Sequence, residues 1–379
     1  MKKDYVGFTY FQILEEKDIC DLQKTRKDIL DGIKSGRKLI VYGRRNTGKT
    51  SLIKSVIIPE FSKLHKRSFI YFVDFIEVKN EKQLTERMLI GFEDAFQKAF
   101  PTHDKLKKVL SFIKSFRPNI TTDPMTGSLS VSLGFQNIGK DTKIKTLFSE
   151  LARIAREYQT LIVFDEFQDI IQVEEAQAFM RQGLENLPKG TPVILLGSKK
   201  HMLSKIFSSP SAPLAGWGEN IEFPMIPYDD YHEYMNERFA NNKISINLEE
   251  SIYIQDLMDR IPEPINILCN NLISNLPQNT TINSNNIRQT LDNLIEKSSS
   301  RLEEYLGSFS LAEQKTISGI ANTQEEFKPQ SKEFTTKVGL TAAGIAKIIK
   351  KLENHAVIYK INNRYTLSDP ILSHYLRKK

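Results

Sequence analysis

The chain has 379 residues, about 40% hydrophobic and 26% charged, with a net charge of +7. That is room for two or three domains with full cores, and no apolar run approaches the ~18–20 residues of a membrane span. Two distant cysteines, Cys20 and Cys269, argue against a disulfide framework or a zinc site, and Met1–Gly7 has basic residues with no apolar stretch behind them, so a cytoplasmic protein is expected.

Residues 1–36 read as a lead-in containing a helix from about Asp18 to Lys34. Arg37–Tyr42 is a short apolar run of the kind that makes a buried strand. Gly43-Arg44-Arg45-Asn46-Thr47-Gly48-Lys49-Thr50 then fits G-x-x-x-x-G-K-[ST], the phosphate-binding P-loop. A helical run from Thr50 and Ser51 to Ile58 follows, and Pro59 is expected to end it. Strand, glycine loop and helix are the context this motif needs. Gly43 and Gly48 are expected to adopt dihedrals a Cβ would forbid, turning successive N–H groups inward around an anion. The helix start adds positive partial charge at the same point. Lys49 would reach the β- and γ-phosphates, and the Thr50 hydroxyl would take one Mg²⁺ position.

Ser68–Asp74 is the second strong strand, followed by helices at about 81–100 and 103–116 closed by Pro101 and Pro118. Residues 119–137 contain a turn cluster, Asp123–Gly127, and a period-two stretch, Ser128–Phe135, which predict a β-hairpin arm. A helix at about 141–159 leads into Leu161-Ile162-Val163-Phe164-Asp165-Glu166, a buried parallel strand with two carboxylates at its tip, where open α/β sheets bind ligands. Asp165 would hold Mg²⁺, and Glu166 would orient or deprotonate an attacking water. After a helix at 174–187, the strand Pro192–Ser198 sets Ser198 at its end to meet the γ-phosphate or that water. A last strand is expected at Asn220–Met225. The alternation predicts an α/β fold, a five-stranded parallel sheet with helices on both faces.

From Tyr228 to about Leu306 the periodicity is helical, at about 228–240, 248–259, 264–275, 284–297 and 299–306. The last 70 or so residues read as helices 311–321, 331–338 and 342–352, then short strands 357–361 and 364–367 around Asn362-Asn363. That order is the winged helix-turn-helix. From Ser331 onward ten Lys/Arg stand against three Asp/Glu, the whole of the chain's excess positive charge. Lys347, Lys350, Lys351, Lys360 and Arg364 are candidate contacts to double-stranded DNA; a winged helix that docks within the protein, with a solvated basic face, is the other reading.

The stretches Tyr42–Leu52, Leu161–Gln168 and Ile194–Ser198 together resemble the archaeal-type ATPase family, AAA-related P-loop proteins close to the STAND signalling and origin-recognition ATPases. Arg260–Leu268, with Pro264, resembles that family's lid helix near the nucleotide, and Tyr365–Leu372 its wing and final helix. The resemblance spans nearly the whole chain. It implies the ASCE sheet order 5-1-4-3-2, a helical lid, a C-terminal winged helix, ATP with Mg²⁺, and a sensor role for Ser198. Domains are then expected at 1–36 (lead-in), 37–227 (ATPase), 228–306 (lid) and 307–379 (winged helix). The chain departs from the family at Leu214–Glu219, where Trp217 stands in place of an arginine, which implies slow hydrolysis or an arginine from a partner in a nucleotide-dependent oligomer. Three functions follow as alternatives: an ATP-driven switch acting on DNA or a protein effector, a DNA-binding loader or regulator, and a nucleotide-stabilised scaffold without turnover.

Overall fold

The computed structural model describes residues 7–100, 143–323, 327–361 and 364–379, with the backbone of Phe116–Thr122 and Leu129–Phe135. The chain forms two compact units: Gln23–Arg44 with Lys49–Pro224, and Met1–Leu22 with Arg45–Gly48 and Met225–Lys379.

In the first of these, four short apolar runs become the strands β1 (Lys38–Tyr42), β2 (Ser68–Asp74), β5 (Gln159–Asp165) and β6 (Val193–Gly197), and the polar stretch Glu219–Glu222 becomes β7. They pair in parallel in the order β2-β5-β6-β1-β7, which is 5-1-4-3-2 when the strands are numbered within the sheet. The middle strands are buried on both faces, so they read as continuous hydrophobic runs. Register brings the ends of β1 and β6 level, Tyr42 beside Gly197, and the ends of β2 and β5 level, Asp74 beside Asp165. One edge of the sheet therefore collects the ends of β1, β2, β5 and β6.

The flanking helices are α1 (Gln23–Lys34), α2 (Lys49–Leu52), α3 (Ile58–Leu64), α4 (Glu81–Ala99), α5 (Lys143–Glu157), α6 (Ala176–Glu185) and α7 (Lys200–Phe207). The helix expected from Asp18 starts only at Gln23, because Asp21 and Leu22 take φ of 47° and 66°, which a right-handed helix cannot contain. Pro59 does not end its helix. A π-helical turn, Ile53–Ile57, joins α2 to α3, with the Ile58 N–H donating to the Ile53 carbonyl, and Pro59 falls in the first turn of α3. There a residue without an N–H leaves no intrahelical bond unmade. Helix α7 follows directly after Ser198, between β6 and β7, as the strand–helix alternation predicts. β3 (Phe116–Thr122) and β4 (Leu129–Phe135) form the expected antiparallel ribbon. Phe116 and Pro118 belong to β3 rather than closing a helix; the rest of the helix expected at 103–116 and the turn Asp123–Gly127 lie outside the described residues.

The second unit contains α8 (Tyr228–Asn241), α9 (Leu248–Leu257), α10 (Pro262–Asn275), α11 (Ser284–Gly307), α12 (Leu311–Ala321), α13 (Lys332–Val338), α14 (Ala342–Asn354), the antiparallel pair β8 (Ile358–Ile361) and β9 (Arg364–Leu367), and α15 (Pro370–Lys378). Helices expected at 284–297 and 299–306 are one: Ser298–Ser300 does not break α11, and Ser299 Oγ donates to the Glu296 carbonyl at 2.8 Å. Gly339, φ 70°, makes the left-handed turn between α13 and α14, and Asn362-Asn363 lie outside the described residues. The part of the lead-in before α1 is tied down within this unit. Phe8 packs on Tyr234 and Phe239, the Thr9 carbonyl accepts from Asn266 at 2.8 Å, and Asp18 pairs with buried Arg238 at 3.1 Å.

Candidate functional site

The glycine loop runs from the end of β1 to the start of α2. Gly48 has φ 91° and Asn46 φ 60°, so the left-handed positions are these two. Gly43 is not one of them, which corrects the expectation; its Cβ would lie 2.7 Å from Phe223 Cβ, so glycine is required there for close approach. Arg44 and Arg45 follow as the loop's basic pair, and Thr47, Lys49 and Ser51 are buried. The Lys49 ammonium donates to its own loop, to the Gly43 carbonyl at 3.0 Å and the Arg44 carbonyl at 2.5 Å. A buried ammonium that donates to two neutral carbonyls can exchange them for an anion.

Across from it, Thr50 Oγ1 donates to Asp165 Oδ2 at 2.6 Å, and the Glu166 N–H donates to Asp165 Oδ1 at 2.9 Å. Asp165 is 5% exposed. Burial pushes its carboxyl above the usual range and the Glu166 and Asp74 carboxylates push the same way, while the Thr50 hydroxyl opposes them. Glu166 sits just past the strand in the left-handed region, φ 47° and ψ 40°. Its Oε2 accepts from Ser198 Oγ at 2.7 Å and from the Gln168 amide. Lys49, Thr50, Asp165, Glu166 and Ser198 are thus gathered at one sheet edge.

Of the groups around Glu166, the sequence singled out Ser198 but not Gln168 or Asp169. Gln168 is fully buried, and its Oε1 accepts from the Ser198 N–H at 3.3 Å. Asp169 accepts from Lys199 Nζ at 2.8 Å and from the Glu77 N–H at 2.9 Å. These come from the 3-10 turn Phe167–Gln172, which Phe167 anchors by stacking between Phe164 and Phe207. The available signal was polar residues within a few positions of the acidic pair and of Ser198, and a carboxylate, Asp74, ending the neighbouring strand.

Trp217 proves to be a core residue. It is buried, with Lys38 Nζ 4.9 Å from its ring centroid, and Lys38 opens β1 at the sheet edge opposite the glycine loop. In the second unit Pro264 is buried in the first turn of α10. Beside it, burial raises the Glu263 carboxyl, which accepts from the Phe11 N–H at 3.2 Å. Lys347 and Lys350 are exposed on α14, and Lys360 lies exposed on β8 with its Nζ 5.8 Å from the Tyr365 ring centroid. Lys351 pairs at 2.6 Å with Glu313, the residue that closes the capping box of α12. Arg364 lines a cavity with Arg377 rather than joining the α14 lysines.

Residues 300–378 match the family model described as a probable winged helix domain. No curated protein matches the chain. Among solved structures it resembles the Walker-type ATPase PABY2304 of Pyrococcus abyssi, with a TM-score of 0.65 and 15% identity over 98% of this chain and 99% of that one. ORC2 of Aeropyrum pernix, in ADPNP–ADP complexes, gives 0.53 at 12% identity, covering 100% and 98%. ORC1 of the same organism, in complex with DNA, gives 0.50 at 11%, covering 100% and 95%. The likeness is one of fold. The chain has the α/β fold of the P-loop ATPases, with a five-stranded parallel sheet and a C-terminal winged helix.

Proposed function

We propose that this protein binds and slowly hydrolyses ATP, and that its nucleotide state governs contacts made by the winged helix with DNA or a protein effector. The observation that carries the reading is the convergence of Lys49, the Thr50–Asp165 pair and the Ser198-held Glu166 at one sheet edge. Lys49 would leave the Gly43 and Arg44 carbonyls for the β- and γ-phosphate oxygens, within the N–H groups of Arg44–Ser51. A hydroxyl and a carboxylate in contact are hard oxygen donors of the kind Mg²⁺ takes alongside water and phosphate, so Thr50 and Asp165 fit as its protein ligands. Bound there, Mg²⁺ would neutralise charge on the phosphates. Glu166 then accepts a proton from the attacking water, and Ser198 fixes the carboxylate and the water relative to each other. Pro264 is proposed, from the resemblance, as a nucleotide contact of a lid spanning 228–306.

The test is steady-state ATP hydrolysis by the wild type and Glu166→Gln, with and without duplex DNA. Turnover that falls about 10²-fold or more in Glu166→Gln, while nucleotide binding persists, is expected. Equal rates in the two proteins would leave the nucleotide-stabilised scaffold in its place.

Exposed Lys347 and Lys350, within a segment carrying the chain's excess positive charge, favour the DNA form of this reading. The DNA in the ORC1 structure adds precedent for that protein's fold.

A further inference from the structure

We propose that the helical and winged parts of the second unit enclose a pocket for a phosphorylated small molecule, whose phosphate is held by Arg364, Ser373 and Arg377. A cavity of about 330 Å³ opens between α9, the start of β9 and α15, with Tyr253, Asp259 and His374 also on its wall. That volume exceeds a phosphate group and falls at the lower end of the range for small-ligand sites.

Donors on this wall outnumber their acceptors. The Arg364 Nε is shielded from solvent and has no hydrogen-bond partner among the described residues. Ser373 is 3% exposed, and its Oγ likewise has no partner. Buried polar groups are ordinarily satisfied, so two such groups on one cavity wall point to an acceptor brought from outside. Arg377 is fixed by its Nε donating to the Ala321 carbonyl at 2.8 Å. Burial lowers its proton affinity, Asp259 opposes that, and Arg364 lowers it further, as expected for two guanidinium groups held close together.

Two acids share the wall, and each already accepts a hydrogen bond. Asp259, which offsets the effect of burial on Arg377, accepts from Thr366 Oγ1 at 3.4 Å. Asp256 accepts from the Tyr228 hydroxyl at 2.5 Å, with Arg260 over the Tyr228 ring. His374 donates from Nε2 to the Leu257 carbonyl at 2.8 Å, and burial favours its neutral form. Two guanidinium forks and a hydroxyl match the three oxygens and near-double charge of a phosphate monoester better than the two oxygens of a carboxylate.

The inference does not depend on the nucleotide site, and its test reads the two separately. The full chain is treated with phenylglyoxal in inorganic phosphate, acetate or chloride at equal ionic strength, and modification of each arginine is followed by peptide mass. Phosphate is expected to slow modification of Arg364 and Arg377 severalfold, with acetate and chloride ineffective. Ser373→Ala should weaken that protection about tenfold, as loss of a hydrogen bond to a charged group implies. Arg44 and Arg45 report on the glycine loop in the same samples, so loss of one site leaves the other readable. Equal modification in phosphate and chloride, protection by acetate as strong as by phosphate, protection unchanged in Ser373→Ala, or protection by duplex DNA alone would each overturn the proposal.

Discussion

At the scale of single residues, Glu166 is the most constrained group at the sheet edge. It occupies a backbone region that side chains other than glycine and asparagine visit rarely, and two neighbours hold its carboxylate. Ser198→Ala removes one of them and is expected to lower kcat about tenfold with KM little changed, measurable by steady-state kinetics. Gln168→Ala should act differently. It strips the Ser198 N–H of its acceptor and empties a fully buried position, so it is expected to cost about 1–3 kcal/mol in urea unfolding as well as turnover. The acidic pair and the lysine were legible in the sequence because their positions follow from a strand end and a fixed loop length. Gln168 and Asp169 were not, because their roles depend on a 3-10 turn that folds them back beneath Ser198, and no period in the sequence encodes that turn.

At the scale of elements, close approaches decide what can change. Gly183 on α6 faces Phe148 on α5, and an added Cβ would meet the ring at 2.1 Å. Gly183→Ala is therefore expected to destabilise the first unit by about 1–3 kcal/mol, seen as a lower urea midpoint. Helix α15 supplies a pH-dependent term. Burial lowers the pKa of His374, Arg377 and Lys378 lower it further, and the Leu257 carbonyl and Asp259 oppose them. The stabilisation from the neutral ring is complete above the unfolded-state value near 6.5 and is lost as pH falls through the lower folded value. His374→Gln, which can still donate to Leu257, should lose less stability than the wild type between pH 7 and pH 5 in denaturant titrations. The strands were readable as apolar runs, and their ends were off by only a residue or a few. The π turn before Pro59 and the unbroken α11 were not readable, since local propensity marks proline and serine runs as breaks while packing carries the helices through them.

At the scale of the whole molecule, charge is segregated. The C-terminal segment holds the chain's net positive charge, and Lys347 and Lys350 present part of it to solvent while Lys351 is engaged by Glu313. If duplex DNA is the partner, log affinity falls linearly with log salt, and Lys347→Glu with Lys350→Glu should flatten that slope by about two phosphate contacts. Lys351→Glu should instead act mainly by setting a second carboxylate against Glu313. Filter binding or anisotropy across a salt series separates these outcomes, and an unchanged slope in the double variant removes α14 from the DNA interface.

The strand that closes the sheet, β7, is only four residues long and carries Glu219 and Glu222, paired with Arg37 and Lys200. A terminal strand with free backbone groups can template the addition of foreign strands, and short length with charged side chains is a recognised guard against it. Shelf life and expression yield therefore rest partly on these two acids. Replacing both with valine would turn the end of the sheet into a self-adhesive surface, and light scattering during storage should rise before any loss of nucleotide binding is seen.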